Sequence, residues 1–381
     1  MTIKSATLYH REQQPFTLKR YITARDIRNN LSNHGGFGFV FHVTSWETLH
    51  VFFNNMPERE RIDENVLWNT PPFIGSAIYE KNTIVGANIV MPVPIDLWIN
   101  SPRMIKQLRF KQFFPALKLA KQCGLTTVAL GGSTPYICNY GKLGRPSVKP
   151  YITTGHAAAT AALKKWTIHA CKHTQLRYSN IRLAIFGAAG RLGKAVSRYI
   201  AQDDLPREII LIDLPNKINL LKTLAAEIQQ HNVGQNLKVS ILGLEKGIFL
   251  PSFDGAILVS NNTVPYLTAD DLRKARFWID DSHPRAASLE AEESTRNETL
   301  YIECYVSGPK GLNTDTNFIL PTTNDCYSCF AEGYVAWREN IPRDYITGIP
   351  KLSEIKKTAL LLEKYQFDIG PFFGKSGVLL T

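Results

Sequence analysis

The sequence predicts an α/β protein with a doubly wound parallel sheet and a second α/β domain that precedes it. Short apolar segments alternate with helix-forming segments from Ile181 onward, a pattern typical of parallel strands joined by crossover helices. A glycine-rich turn follows the first of these segments, as it does in doubly wound folds. The 381 residues also exceed an ordinary single domain, so two domains are expected.

The N-terminal part of the chain divides into an extension and a domain. Residues 1–36 are polar and mixed, and we predict that they form an N-terminal extension packed on the body. Residues 37–152 are predicted to form the first α/β domain. Three apolar segments around this region predict buried strands. They are "GFGFVFHVTSW" (36–46), "TIVGANIVMPV" (83–93) and "TTVALGG" (126–132).

The segment "SPRMIKQLRFKQFFPALKLAKQCG" (101–124) predicts a helix within that domain. Ser101 is a suitable N-cap, and Pro102 suits the first helical position. Gly124 suits the C-terminal stop. Pro115 is predicted to kink the helix, because proline lacks the N–H group that a helix interior needs.

Residues 153–310 are predicted to form the doubly wound domain, which begins with an Ala-rich linker helix at 153–173. Residues 311–381 follow the last strand and are mostly helix-forming, so we expect this C-terminal segment to fold back onto the first domain. The predicted strands of the sheet are "RLAIFG", "EIILID", "KVSIL", "GAILVS", "FWIDD" and "LYIECY".

Charge and cysteine content narrow the class of protein. The net charge of +11 favours an acidic partner, which could be a nucleic acid, an anionic membrane surface or an acidic carrier protein. The six cysteines are irregularly spaced, which is typical of reduced thiols in a cytosolic protein. The first residues lack the apolar core of a secretory signal, and no run approaches the ~20 apolar residues of a membrane span. We therefore expect a cytoplasmic protein without integral membrane segments.

A glycine-rich loop, "LAIFGAAGRLGKAV" (183–196), follows the first strand of the second domain. Gly187, Gly190 and Gly193 have the spacing GxxGxxG, and Arg191 and Leu192 lie between the last two glycines. Such glycines allow a tight turn, and the helix N-terminus that follows can bind a pyrophosphate. The strand before the loop and the helix after it favour a dinucleotide site of the Rossmann type over a merely structural turn.

Asp213 ends the second strand, about 20 residues past the loop, where an acid hydrogen-bonds the ribose of NAD and repels a 2′-phosphate. This position predicts a preference for NADH. Arg191 and Lys217 could instead hold a 2′-phosphate, and Asp213 could be a simple turn residue, so use of both NADH and NADPH stays open.

The segment "NDCYSCFAEGYVAW" (324–337) contains Cys326 and Cys329. These two cysteines have four possible interpretations: a redox pair, half of a zinc site, buried packing residues, or a site that includes a nucleophile. No second CxxC and no histidine cluster supports a zinc site. The preceding "PTTND" favours a helix start, where the helix N-terminus stabilises a thiolate and can bind an oxyanion. Glu332, one turn later, could orient a partner or simply complement the helix dipole.

The predicted helix at 101–124 is rich in basic residues and has no acidic one. These charges could lie on a solvated face. They could also dock an acidic carrier protein or the phosphates of coenzyme A. The candidate docking residues are Arg103, Lys106, Arg109 and Lys111.

Several of these segments together resemble, in the same order, the long-chain acyl-[acyl-carrier-protein] reductases of cyanobacteria, which make fatty aldehydes. The segments are "GFVFHVTSWE", "RFKQFFPALKLAKQCGLTTVALGG", "ITTGHAAATA", "LAIFGAAGRLGKAVSRYI" and "SCFAE". The resemblance covers most of residues 36–370 and implies that Cys329 is the nucleophile. His156 stands where the family has Asn, and "DDSHP" (280–284) replaces a Gly-Gly-Tyr-Pro-like segment. Asp213 and Leu214 replace a stretch that carries an Arg in the family.

Three histidines are candidate proton donors to a developing aldehyde oxygen: His42, His156 and His283. Each could equally be a hydrogen-bonded packing residue. We rank His156 first, because the Thr-Thr-Gly turn before it should face the cofactor.

These features predict NAD(P)H-dependent reduction of an acyl thioester to an aldehyde through a Cys329 acyl-enzyme. The thioester would be carried by an acyl-carrier protein or coenzyme A, with Cys329, His156 and Glu332 as catalytic residues. One alternative is direct reduction of a ketone or imine, as in shikimate-dehydrogenase-like or dihydrodipicolinate-reductase-like proteins. A dinucleotide-sensing nucleic-acid binder is another, although no helix-turn-helix or RNA-binding signature supports it.

Overall fold

The structure is a computed structural model that describes residues 17–19, 21–54, 56, 58–59, 63–141, 150–245, 250–315, 318 and 320–374. Residues 1–16 and 20 of the predicted extension lie outside the described residues. The described residues fall into two units. The mixed-sheet unit comprises those up to Thr154, those of 310–318, and Gly333–Thr347. The parallel-sheet unit comprises those of Gly155–Pro309, those of 319–332, and those from Gly348 onward.

Strands and helices alternate along most of the chain. The strands are β1 (Thr17–Leu18), β2 (Gly36–His42), β3 (Phe53–Asn54), β4 (Phe73–Glu80), β5 (Thr83–Met91), β6 (Leu125–Leu130), β7 (Tyr151–Thr153), β8 (Arg182–Phe186), β9 (Glu208–Asp213), β10 (Lys238–Gly243), β11 (Gly255–Leu258), β12 (Phe277–Asp280), β13 (Leu300–Glu303), β14 (Val306–Ser307), β15 (Leu312–Thr314) and β16 (Asp325–Cys326). The helices are α1 (Ala24–Asn30), α2 (Trp46–Phe52), α3 (Glu64–Asn69), α4 (Pro102–Leu108), α5 (Phe114–Gln122), α6 (Thr134–Ile137), α7 (His156–His173), α8 (Arg191–Ile200), α9 (Ile218–His231), α10 (Ala269–Leu272), α11 (Leu289–Thr295), α12 (Ser328–Arg338) and α13 (Leu352–Lys364).

The mixed-sheet unit is built on a six-stranded sheet with the order β15-β4-β5-β2-β6-β7. Strands β5, β2, β6 and β7 are parallel neighbours, whereas β4 and β15 are added antiparallel at one edge. The three predicted strands of the first domain are confirmed as β2, β5 and β6. Their apolar residues are buried, as the continuous hydrophobic runs predict.

The basic helix of this unit begins as predicted but is interrupted before its proline. Ser101 Oγ accepts a hydrogen bond from the Met104 N–H at 3.4 Å, which confirms the N-cap. Helix α4 then gives way to a π-helical turn at Arg109–Phe113, and α5 follows. The predicted kink at Pro115 thus takes the form of a wider turn just before the proline, where the missing N–H would otherwise break the hydrogen-bond ladder.

The parallel-sheet unit holds six parallel strands in the order β10-β9-β8-β11-β12-β13. All six strands predicted from the alternating pattern are present, and the chain has the doubly wound topology that the sequence indicates. Strand β8 lies at the centre, with β9 on one side and β11 on the other. The strand order therefore reverses at β8 and β11, and the crevice at their carboxyl ends is where such sheets bind ligands.

The described residues of 311–381 are divided between the two units and include a strand as well as helices. Strand β15 pairs with β4 in the mixed-sheet unit, and α13 belongs to the parallel-sheet unit. Helix α12 is divided after Glu332, so its first turn belongs to the parallel-sheet unit. None of the helices in the described part of the chain is long and apolar enough to cross a membrane.

Candidate active site

The glycine-rich loop turns sharply at the end of β8. Gly187 has φ +79°, and a Cβ there would lie 2.8 Å from Val259 O, so both the backbone and the space require glycine. The N–H groups of Gly187 and Ala188 both donate to Ile212 O, at 2.9 and 3.1 Å. These bonds fix the turn against the end of β9.

Helix α8 starts close against this turn. A Cβ at Gly193 would lie 2.1 Å from Gly187 O, so the first turn of α8 can approach the loop only with glycine at that position. Gly190 is the N-cap residue of α8, and its N–H donates to Gly187 O at 2.9 Å. Arg191 and Leu192 follow as half-buried residues of the first turn. The loop therefore places a helix N-terminus at the crevice, an arrangement that suits a pyrophosphate.

Asp213 contacts this loop directly. Its Oδ2 accepts from the Ala189 N–H at 2.8 Å, and its Oδ1 accepts from the Leu214 N–H at 2.8 Å. The carboxylate thus ties the loop to the end of β9, and it is also half-buried at the strand end where a ribose would lie. The role of Asp213 as a hydrogen-bond partner of the ribose stays a prediction. The hydrogen bond from Ala189 to Asp213 is a contact that the glycine motif does not indicate.

Glu332 caps helix α7 from a distant part of the chain. Its side chain is fully buried. The carboxylate accepts from the N–H groups of Gly155 at 2.7 Å, Ala157 at 2.9 Å and Ala158 at 2.9 Å. The first N–H groups of a helix have no partner within it, so a carboxylate there satisfies them and complements the helix dipole. These bonds position the start of α7, and the predicted catalytic role of Glu332 stays a prediction.

The start of α7 is packed against Cys329. Gly155 has φ +81°, and a Cβ at this position would lie 2.1 Å from the Cβ of Cys329 and 2.5 Å from its Cα. The backbone of the Thr-Thr-Gly turn therefore touches the cysteine directly. Because Gly155 and Glu332 are hydrogen-bonded, the nucleophile candidate, the cap and the helix start form one cluster inside the parallel-sheet unit.

The two cysteines of the CxxC segment lie in different environments. Cys329 is the second residue of α12, which confirms its predicted place in the first helical turn, and it is half-buried. Cys326 is buried in β16, opposite Val306. Burial, with smaller contributions from Cys329 and Asp325, raises the pKa of the Cys326 thiol well above its ordinary value. Cys329 is therefore the more accessible thiol and Cys326 a protonated neighbour.

Ser328 adds a polar group to the first turn of α12. Its side chain is only 2% exposed, and its Oγ has no hydrogen-bond partner among the residues that the structure describes. A buried hydroxyl without a partner is uncommon and costs free energy. Nothing in the sequence distinguishes Ser328 as a functional residue, because a serine at a helix start ordinarily serves as a cap.

His42 and His156 are held in neutral forms. In the mixed-sheet unit, His42 Nδ1 donates to Val43 O at 2.8 Å and its Nε2 accepts from the Ser133 N–H at 3.0 Å. Burial lowers the pKa of His42 to about 4. His42 is therefore a packing residue, with both ring nitrogens engaged.

His156 donates through Nδ1 to Gly348 O at 3.1 Å. Burial, and to a smaller extent the Arg191 guanidinium, lowers the pKa of His156 to about 4, so the ring is neutral at pH 7. A neutral ring with its proton on Nδ1 has none on Nε2. This arrangement argues against the predicted role of His156 as a proton donor.

His283 follows β12, in the parallel-sheet unit that also contains Cys329. Its side chain is 20% exposed, and its ring contacts Tyr327 edge-on. Within the described residues, no group of three or more His, Cys, Asp or Glu side chains is arranged to hold a metal ion.

Comparison with known proteins gives only distant likenesses. No family model matches the chain, and no curated protein matches its sequence significantly. L-tryptophan dehydrogenase from Nostoc punctiforme is 12% identical over 88% of this chain and 82% of that chain, with a TM-score of 0.37. Shikimate 5-dehydrogenase from Listeria monocytogenes is 10% identical over 86% of this chain and 97% of that chain, with a TM-score of 0.35.

Malate dehydrogenase from Salinibacter ruber is 16% identical over 27% of this chain, with a TM-score of 0.20. The match spans 37% of that protein's length. Because these TM-scores are low, the similarities do not indicate a function, and the function has to be inferred from the residues of the site.

Proposed function

We propose that this protein is an oxidoreductase that uses a nicotinamide dinucleotide. The glycine-rich loop supports this class. Because Gly187 and Gly193 have no side chains, the backbone can turn tightly from β8 into α8, and the N-terminus of α8 can bind a pyrophosphate. The loop also lies where the strand order of the parallel sheet reverses, which is the usual ligand site of such folds.

More particularly, we propose an acyl-thioester reductase that forms an aldehyde through an acyl-enzyme on Cys329. The observation that carries this proposal is the position of Cys329. It is half-buried in the first turn of α12, against Gly155, in the same unit as the glycine-rich loop. A thiol at a helix N-terminus is favourably placed to act as a thiolate nucleophile. The resemblance of "SCFAE" to the acyl-[acyl-carrier-protein] reductases supports the same role.

The chemistry follows from that position. The Cys329 thiolate attacks the acyl carbon, the carrier thiol leaves, and the acyl group becomes a thioester of Cys329. The buried Ser328 Oγ, which has no partner among the described residues, is well suited to donate to the oxyanion of the attacked thioester. When bound, the reduced dinucleotide supplies hydride to the acyl carbon. The aldehyde then departs and Cys329 is again a thiolate.

The test of this function is intact mass after incubation with an acyl thioester in the absence of any nicotinamide. A covalent acyl adduct that requires Cys329 is expected. Reduction of a ketone or imine without any adduct would instead indicate the non-covalent type of reductase. Absence of both activities, together with nucleic-acid binding, would exclude an enzyme of either type.

We further propose that NADH is preferred, because Asp213 ends β9 beside the loop. Replacing Asp213 with Asn should narrow the preference for NADH about tenfold, since the change removes the charge that repels a 2′-phosphate. Binding of both dinucleotides should also weaken, because the Ala189 N–H loses a charged acceptor. The measurement is the ratio of kcat/KM for the two cofactors. A ratio that this substitution leaves unchanged would mean that Asp213 does not face the ribose.

The basic helix is the proposed docking surface for an acidic carrier protein or the phosphates of coenzyme A. Arg103, Lys106 and Lys111 are exposed, and Phe110 between them is 59% exposed. Arg109 differs, because its Nε donates to Ile137 O at 2.8 Å and so connects this helical segment to the end of α6. Exposed positive charges on the same helical segment as an exposed aromatic side chain suit an acidic surface with a small apolar centre.

Reversing Arg103 and Lys106 to Glu should therefore raise KM for a carrier-bound acyl group about tenfold at low salt. The effect should fade at high ionic strength, because salt screens exposed charges. The same variant should reduce a small uncharged acyl thioester at the normal rate. The matched variant Lys222→Glu, which reverses an exposed charge on α9, should reduce both substrates at the normal rate. Equal loss with both substrates would indicate a role in the fold, and no loss would place docking elsewhere, for example along 351–357.

A further inference from the structure

The proposed reaction needs a general acid–base group at Cys329. Two of the three candidate histidines are unsuited to that role. His42 has both ring nitrogens engaged, and burial lowers the pKa of His156 to about 4, so its ring is a weak base. His283 differs from both in its surroundings. It is partly exposed, as are Cys329 and Tyr327, and it faces a carboxylate.

The loop that carries His283 is held rigidly at the carboxyl end of the parallel sheet. Asp280, which is fully buried, accepts from the Ser282 N–H at 2.7 Å and from the Ala286 N–H at 3.0 Å. The Tyr301 hydroxyl donates to the same carboxylate. These bonds on both sides of His283 fix the backbone that presents the ring, and catalytic groups need such fixed positions.

Two side chains define the setting of the His283 ring. Glu303, at the end of β13, is 6% exposed, and its Oε1 lies 3.8 Å from His283 Nε2. Tyr327 packs edge-on against the ring, with centroids 4.8 Å apart and planes at 82°. His283 therefore lies between a buried carboxylate and the residue two positions before Cys329.

Tyr327 joins this cluster to the start of α12, because it directly precedes Ser328 and lies two positions before Cys329. Burial raises the pKa of the Tyr327 hydroxyl well above its ordinary value, and electrostatic contributions from Glu303, Cys329 and Asp281 add to the shift. The Tyr327 hydroxyl is therefore uncharged and lies within electrostatic range of both the carboxylate and the thiol. The charged and titratable neighbours of His283 include Glu303 and Tyr327 directly, with Asp281 and Cys329 around Tyr327.

We propose that His283 is the acid–base residue for acylation of Cys329, with Glu303 as its positioning residue. This inference rests on the proposed function. The proton of the Cys329 thiol moves to His283, and the thiolate forms a bond to the acyl carbon. As the bond from that carbon to the carrier sulfur breaks, the imidazolium gives its proton to the departing sulfur. The Glu303 carboxylate orients the ring and stabilises the imidazolium, as a buried carboxylate does for histidine in acyl-transfer enzymes.

The proton balance closes without any further reactant in this half-reaction. One thiol proton enters on Cys329 and one leaves on the carrier thiol, while no atom is oxidised or reduced. The later release of aldehyde leaves Cys329 as a thiolate, and one proton from water restores the starting state. His283 is thus needed for acylation, and most of all when the departing thiol is a weak acid that cannot leave as an anion.

The experiment is single-turnover acylation, followed by intact mass without nicotinamide. The probes are two octanoyl thioesters, one of N-acetylcysteamine and one of thiophenol, whose thiol leaves readily as an anion. His283→Asn should slow acylation by the alkyl thioester about 10²–10⁴-fold. The aryl thioester should restore much of that loss. Glu303→Gln should show the same pattern with a smaller loss, and His231→Asn, an exposed histidine on α9, should behave as wild type.

Other results would overturn the proposal. Wild-type rates in both His283→Asn and His283→Gln would exclude an acid–base role, and so would equal losses with alkyl and aryl thioesters, which indicate a structural role. Melting temperature and dinucleotide binding show whether each variant is folded. If the unmodified protein forms no adduct with either thioester, the proposed function fails and this inference fails with it. If adducts form but do not depend on His283, only the inference fails.

Discussion

Replacing Cys329 with alanine is expected to reduce turnover at least about 10⁴-fold, because no other group in the cluster can replace the nucleophile. The acyl adduct should disappear in the same variant. Dinucleotide binding should remain nearly unchanged, since the loop at Gly187 is held by bonds to Ile212 and not by the cysteine. Steady-state reduction, intact mass and a dinucleotide binding titration together test this result.

Cys326→Ala is the matched control, because it removes the same atoms three residues away. Cys326 is buried in β16 and its thiol stays protonated, so most activity should survive. A loss of about 1 kcal/mol in the free energy of unfolding is expected from the small cavity. Activity that survives the loss of Cys329 but disappears with Cys326 would reverse the assignment of the nucleophile.

Replacing Gly155 with alanine should also slow the reaction, although this residue has no side chain to lose. Its φ of +81° disfavours any L-residue, and the new methyl group would lie 2.1 Å from the Cβ of Cys329. The backbone strain costs about 1–2 kcal/mol and the overpacking about 1–3 kcal/mol. The cysteine must move to relieve the contact, and a shift of about 1 Å at a reacting group costs about 10²-fold in rate.

Gly234→Ala separates these two contributions. Gly234 has φ +85°, but a Cβ at that position would meet nothing within 4 Å. This variant should lose only the backbone contribution, about 1–2 kcal/mol, and keep its activity. Unfolding by denaturant and acylation of Cys329 are the two measurements. Similar stability and similar acylation rates in the two variants would show that Gly155 does not press on the cysteine.

Much of the fold follows from the sequence because the signals are local. The alternation of apolar strands and helices after Ile181 predicts the parallel sheet, and all six strands are present. The spacing of Gly187, Gly190 and Gly193 predicts the turn and the helix start. The capping pattern before Cys329 predicts its place in a first helical turn. Each of these features depends on residues a few positions apart.

The site was harder to predict because its contacts join distant segments. The sequence suggests that Glu332 is a first-turn acid of its own helix. Its carboxylate instead accepts hydrogen bonds from N–H groups at the start of α7, which lie 174 to 177 positions earlier in the chain. One partner of His42, which is Ser133, and the described partners of His156 and His283 likewise come from distant parts of the chain. These partners determine which ring nitrogen carries a proton. Nothing in the local sequence around a histidine shows where its ring nitrogens will donate.

The separation of Glu332 from α7 also sets an order of events during synthesis. Gly155 emerges from the ribosome 177 residues before the carboxylate that binds its N–H. At about 5–20 residues per second, that interval is about 9–35 seconds. Strands β8 to β13 are complete before Glu332 is made, so the parallel sheet can form on the growing chain first. The contacts of Glu332 with the start of α7 can then form only after all six strands of that sheet have been synthesised.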